Sequence, residues 1–205
     1  MFKDPLELIQ TRRSIRKFKA KPVPKEDILK IIKAASSAPS GSNQQNWYFI
    51  VVSDKKTKEG MRCAVEKSIE ELLAKVGSKK AKDEISSYSR YFNFFADAPC
   101  VICAVEKPYD SLIGRLLVKY DRPQGQSTSG IQGVAAAIEN LLLAAHALGY
   151  GTCWMTGPLL AKNQLEKILK IVPPNNLTAL IPIGKPESIP DMPTRKPIEE
   201  IASFR

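Results

Sequence analysis

Residues 131 to 148 constrain the fold more than any other stretch, because Val134, Ala137, Ile138, Leu141, Leu142, Ala145 and Leu148 recur at helical spacing and the other faces are also largely apolar. A helix that is hydrophobic nearly all round belongs inside a core or at a subunit interface, not on a surface. Ala135, Ala136, Ala137, Ala144 and Ala145 let a partner element approach closely, and Gly149 supplies the C-terminal cap. Any fold this chain adopts must therefore be wrapped around that helix.

The remaining pattern alternates helix and strand. Lys25 to Ser37 predicts an amphipathic helix with Ile28, Ile31, Ile32 and Ala35 on one face, led in by Pro24 and closed by Pro39. Tyr48 to Val52 is aromatic and β-branched, a strand that gives way to the polar turn Ser53 to Lys56. Residues 55 to 76 and 80 to 95 read as helices, Pro99 to Val105 as a strand and Pro108 to Tyr120 as a helix. Thr152 to Met155 reads as a strand, Ala161 to Ile171 as an amphipathic helix and Leu177 to Ile183 as a last strand. No internal repeat, low-complexity tract or interdomain linker breaks the series, so residues 1 to 205 read as one domain.

Composition narrows the function classes. With 43% hydrophobic and 25% charged residues and no apolar run long enough to span a bilayer, the expectation is a water-soluble protein with no membrane partner. The opening MFKDPLELIQTRR is amphipathic and carries Asp4 and Glu7, unlike a secretory signal, which makes the cytoplasm the default. Cys100 and Cys103 have CxxC spacing, but they lie in the apolar run APCVICAVE. There is no second pair and a single histidine, His146, so neither a zinc site nor a thioredoxin-like pair is favoured. The formal charge of +10 permits nucleic-acid binding, yet no zinc-finger spacing, RNP-like strand or basic-region heptad is present to read bases. Much of the basic excess falls in stretches interspersed with acids, which is the pattern of a solvated face.

The chemistry-bearing residues lie elsewhere. Arg12-Arg13-Ser14-Ile15-Arg16-Lys17 places two guanidinium forks four residues apart with a hydroxyl between them, and the polar turn Pro39-Ser40-Gly41-Ser42-Asn43-Gln44-Gln45-Asn46-Trp47 follows the first helix. Two readings stand on spacing alone: a solvated basic face, or one wall of a site for a phosphate ester, which guanidinium forks match bidentately. There is no G-x-G-x-x-G after a strand, no P-loop and no serine nucleophile elbow, so any redox chemistry must sit on a cofactor held in another way.

Taken in order, RRSIRKF, APSGSNQQNWYFIVV, the hydrophobic helix running into GYGTCWMTG, IPIGKPES and TRKPIEEI resemble the FMN-dependent nitroreductase family over residues 7 to 201. The resemblance implies an α+β protein, a three-layer α/β/α fold with a central mixed, mainly antiparallel sheet, assembled as an intertwined homodimer with two FMN molecules at its interface. It implies cofactor contacts from Arg12, Arg13, Ser14 and Arg16, from Pro39, Ser40, Gly41 and Asn43 across the interface, from Trp154, Met155, Thr156 and Gly157 beside flavin N5, and from Arg195. Gln45 matches the family's glutamine and supports the turn. The chain departs from the pattern at Gly41, where the family has a serine, at Asn46, where it has a proline, and at Pro193, a position often basic, with Lys196 following Arg195 instead. The implied activity is transfer of hydride from NADH or NADPH through FMN to a nitroaromatic, quinone or related small aromatic acceptor in a ping-pong cycle, with no catalytic side chain and no metal. A lid over residues 55 to 97 and 106 to 128 selects the acceptor. Within it Tyr88, Tyr91, Phe92, Phe94 and Phe95 read either as a stacking wall or, at helical spacing, mostly as core. The rival readings are a flavin-binding module without turnover and a basic nucleic-acid-binding protein.

Overall fold

The computed structural model describes residues 4–120 and 128–205, so part of the second lid segment, residues 121–127, lies outside the described residues. Its elements in chain order are α1 (Pro5–Thr11), α2 (Lys25–Ala35), β1 (Trp47–Val52), α3 (Lys55–Lys75), α4 (Lys79–Ser89), β2 (Cys100–Glu106), α5 (Leu112–Lys119), α6 (Ser129–Ala147), β3 (Gly151–Thr152), α7 (Lys162–Leu169) and β4 (Asn176–Gly184). The strands form one sheet in the order β1-β2-β4-β3, antiparallel throughout. A single parallel bridge from Ser14 to Thr152 at its edge makes it mixed.

Period-two alternation along the strands divides the core into two layers. Cys100, Ile102 and Ala104 of β2 with Ala179, Ile181 and Ile183 of β4 face α2 and α6, where Ile28, Ile31, Ala35, Val134, Ala137, Ile138 and Leu141 meet them. Val101, Cys103 and Val105 face the other way, onto Met61 and Val65 of α3 and Leu165 and Leu169 of α7. A bulge opposite Ala104/Val105 lets Leu177 and Leu180 both face that second layer, because one extra residue reverses the alternation; the bulged Thr178 uses its hydroxyl to donate to Ala104 O at 3.0 Å. Helices thus cover both faces of the sheet in three layers, and α6 lies in the first of them.

The cysteines follow from the same alternation. Cys100 and Cys103 sit on opposite faces of β2, and three residues of strand separate them by roughly 10 Å, beyond the reach of a disulfide. Burial pushes the Cys100 thiol up to about 11, so neither is a reactive pair. No cluster of metal-ligating side chains occurs among the described residues, and no described helix is long and apolar enough to cross a membrane.

Most element boundaries fall within two residues of the sequence reading, and three differ by more or in kind. The helix expected to 95 stops at Ser89, and Tyr91 and Phe92 turn back by donating to Tyr88 O and Ser89 O at 3.1 and 2.8 Å. The helix expected from Pro108 starts at Leu112, because residues 107–110 are bonded along the Asn46 turn. The strand expected over Thr152 to Met155 pairs only at Gly151–Thr152 and again as an isolated bridge from Met155 to Leu180. Both pairings share one register, which sets Cys153 opposite Pro182; a proline has no N–H to donate, and the ladder breaks there.

Candidate functional site

The β3 edge organises the site. Ile15 N–H donates to Thr152 O at 2.9 Å on the outer side of β3, while Met155 exchanges bonds of 3.0 and 2.9 Å with Leu180 on the inner side. Alternation therefore points the Trp154 and Thr156 amides outward, past the point where the Ser14–Ile15 segment stops pairing. Trp154 and Thr156 are exposed and Met155 is buried in the second layer.

Beside those amides opens a cleft of about 420 Å³, lined by Arg16, Cys153, Trp154, Met155, Thr156, Gly157 and Pro158 on one side and by Tyr88, Tyr91, Phe92 and Phe94 on the other. The aromatic cluster divides: Tyr88, Tyr91, Phe92 and Phe94 line the cleft, while Phe92 and Phe94 also pack on the core that holds Phe95. Phe95 alone of the five is fully buried, whereas Tyr88 and Tyr91 are 68% and 44% exposed, and Tyr88 meets Phe92 edge-on with ring centroids 5.4 Å apart. Gly157 is required by this wall: a β-carbon there would stand 3.0 Å from Phe92 Cζ and closer to two other ring atoms. Burial raises the Cys153 thiol above its ordinary value, so it lines the cleft as a neutral group.

The arginines divide between two places. Arg16 enters the cleft, with Nη1 3.4 Å from Ser14 O. Arg12 and Arg13 line a neighbouring groove of about 280 Å³ with Thr11, His146, Tyr150 and Ile189. Arg12 Nε lies 3.4 Å from Glu139 Oε1 of α6, and Arg13 folds back to donate to Gln10 O and Arg12 O at 2.7 and 2.8 Å, closing the C-terminal end of α1 as basic side chains do. Burial first, and then Arg12 and Arg13, hold His146 below its ordinary 6.5; its Nε2 is 3.0 Å from Thr11 Oγ1. Arg195 lies in an exposed terminal segment and makes no hydrogen bond or ion pair with a described residue, while Lys196 pairs with Glu200 at 3.7 Å.

The Pro39–Asn43 turn is not part of either cleft. Ser40 packs on Gly133 of α6, whereas Thr11 reaches His146 near that helix's other end, a span of about 20 Å at the helical rise. Within the turn Ser40 Oγ accepts from Gln45 N–H at 3.0 Å. Ser42, Asn43 and Gln45 hold φ of 51, 52 and 49°, in the left-handed region that costs a non-glycine residue about 1 kcal/mol or more and that concentrates at functional sites. Asn46, which stands where the resemblance calls for a proline, is buried and reaches Lys107 O with its Nδ2 at 3.4 Å, leaving Oδ1 without a described partner.

A sheet sandwiched by helices, with a cationic and aromatic cleft at a broken edge strand, defines a ligand-binding α+β protein, and comparison with known proteins places it. The chain belongs to the nitroreductase family, whose profile matches residues 9–185. It is 35% identical over 154 residues to an Archaeoglobus fulgidus protein named as an NADH dehydrogenase/NAD(P)H nitroreductase, an alignment that covers 73% of this chain and 66% of that one. Among solved structures, a BluB-like flavoprotein from Clostridium difficile 630 superposes with a TM-score of 0.91 at 33% identity over 100% of both chains. An iodotyrosine deiodinase bound to FMN and 3-iodo-L-tyrosine superposes with a TM-score of 0.73 at 25% identity, covering 97% of this chain and 99% of that one.

Proposed function

We propose that this chain is an FMN-dependent oxidoreductase that draws reducing equivalents from NADH or NADPH and passes them to a small aromatic acceptor such as a nitroaromatic or a quinone. The observation that carries the reading is the 420 Å³ cleft, which joins outward edge amides and a guanidinium to an aromatic wall. That donor set fits FMN: amide N–H groups suit the polar edge of a flat ring, and arginines suit its phosphate. When bound, FMN supplies the atom that accepts and returns hydride, so no side chain has to act as an acid or base.

The chain's own residues hold, orient and select. Arg16 neutralises negative charge in the cleft, with Arg12, Arg13, Ser14 and Arg195 as the further anion-binding set; Trp154, Met155, Thr156 and Gly157 present backbone to the ring. Tyr88, Tyr91, Phe92 and Phe94 face that backbone and stack a planar acceptor. Pro39, Ser40, Gly41 and Asn43, remote from the cleft in one chain, reach the cofactor of a second copy, which makes each site composite and the working unit a homodimer.

An absorbance scan of the purified protein, followed by NADH and NADPH oxidation with nitroaromatic, quinone and 3-iodotyrosine acceptors, tests this. Flavin bands and acceptor-dependent oxidation are expected. A yellow protein that turns over no acceptor would be a flavin-binding module, and a colourless one whose retention on DNA falls steeply with salt would be a nucleic-acid binder.

A further inference from the structure

Between β2 and α5 the chain lays residues 107–110 along the Ser40–Asn46 turn and clasps them at both ends. Lys107 N–H donates to Asn46 O at 2.7 Å. The Gln44 side chain bonds Asp110 in both directions, its amide donating to the Asp110 carbonyl and its oxygen accepting from Asp110 N–H at 3.1 Å. Tyr109 sits inside that clasp, partly buried.

Two glycines make room for it. A β-carbon on Gly41 would fall 2.9 Å from Cε2 and Cζ of the Tyr109 ring and overlap its hydroxyl, and one on Gly130, in the first turn of α6, would fall 3.0 Å from Tyr109 Cβ. A side chain at Gly41 would displace the ring, whereas one at Gly130 would meet Glu106 Oε1 first and Tyr109 Cβ next, so it is the bare backbone of the turn that admits the phenol. Its Oη comes to rest over Gly41 and bonds to no described residue. A phenylalanine would fill the same gap, so packing alone does not call for the hydroxyl, which is left free to bond outward.

We infer that Tyr109 Oη is a hydrogen-bonding group of the cofactor site, which the Pro39–Asn43 turn presents to the FMN of the second subunit; this rests on the function and the shared site proposed above. The phenol stands where a side chain on residue 41 would otherwise project, so the ring and a residue-41 side chain are alternatives for one space. Gly41 lies outside the left-handed region, and a serine fits there once the ring is gone.

The test titrates flavin-free wild type, Y109F, Y109A, G41S/Y109A and N43A with FMN by fluorescence and melts each without flavin. Y109F should raise Kd about threefold to tenfold, the worth of one neutral hydrogen bond, with an unchanged flavin-free melting temperature. G41S/Y109A should bind FMN more tightly than Y109A, because it restores a hydroxyl to the vacated space. Wild-type affinity in Y109F while N43A is weakened would overturn the inference and leave the shared site standing, as would G41S/Y109A binding no better than Y109A. A wild-type protein that does not bind FMN would overturn the functional reading and this inference with it.

Discussion

Arg13 and Arg16 carry the same charge three residues apart, and the structure gives them different work. Arg13 caps backbone carbonyls at the end of α1, while Arg16 stands in the cleft. Arg16→Ala should therefore weaken FMN binding about tenfold to a hundredfold, the worth of a charged hydrogen bond. Arg13→Ala should lower stability by up to about 1 kcal/mol, the order of a helix-end interaction, and weaken FMN binding less than Arg16→Ala does, because its guanidinium is already engaged by backbone carbonyls. Equal losses of affinity in a fluorescence titration of the two variants would contradict that division. Gly157 gives a second test at this scale. Gly157→Ala drives a methyl group into the Phe92 ring, and overpacking of this kind costs about 1–3 kcal/mol. Adding Phe92→Leu should recover part of the lost melting temperature, and the absence of any recovery would mean that the glycine serves another contact.

Elements were legible in the sequence where one physical signal dominated. The stripe of α6 and the face of α2 appear as read except at Leu148, which lies past the helix end and is 39% exposed: Val134, Ala137, Ile138, Leu141, Ile28, Ile31 and Ala35 are all in the core, and apolar periodicity records burial directly. Gly149 caps α6 with φ +72°, and Tyr150 N–H closes back to Ala145 O at 2.8 Å. The edge at β3 was not legible, because it depends on Pro182 falling opposite Cys153, a register no local pattern encodes. The aromatic cluster stayed open between wall and core for a similar reason: residues 88 to 94 look helical until the chain turns at Ser89. Arg12, Arg13, Ser14 and Arg16 were recognised as a motif, but spacing could not show that Ile15 pairing with Thr152 sets Arg16 apart from the other two arginines. The C-terminal part of α6 also carries a titration. His146 binds its proton less readily folded than unfolded, held down by burial and then by Arg12 and Arg13. Its contribution to stability is therefore complete above about pH 6.5, the unfolded value, and is lost as pH falls through the lower folded value. Denaturant unfolding of wild type and His146→Gln from pH 7.5 to 5 should show the wild type losing more stability than the variant toward the acid end; parallel profiles would remove His146 as the cause.

At the scale of the whole molecule, one chain leaves two kinds of surface incomplete. The terminal segment runs exposed through Ile189, Met192, Ile198, Ile201 and Phe204, the last 100% exposed, and α1 shows Leu6 and Ile9 to solvent, apolar side chains that the homodimer proposed above would cover. The strained Pro39–Asn43 turn stands near one end of α6 while Arg16 and the β3 edge stand away from it. In the homodimer proposed above a two-fold axis would answer both, because an isologous interface repeats every contact twice and would bring the turn of each copy to the cleft of the other. Co-expression tests this arrangement. An Arg16→Ala chain and an Asn43→Ala chain, each impaired as a homodimer, form mixed dimers in which one site carries both lesions and the other carries neither. Affinity tags on the two chains isolate that species, and its acceptor-dependent NADH or NADPH oxidation should approach half the wild-type value per dimer. If each site were built from a single chain, every site in the mixed dimer would carry one lesion and its activity would equal the mean of the two parents. A mixed dimer that forms and stays at that mean rules the shared site out.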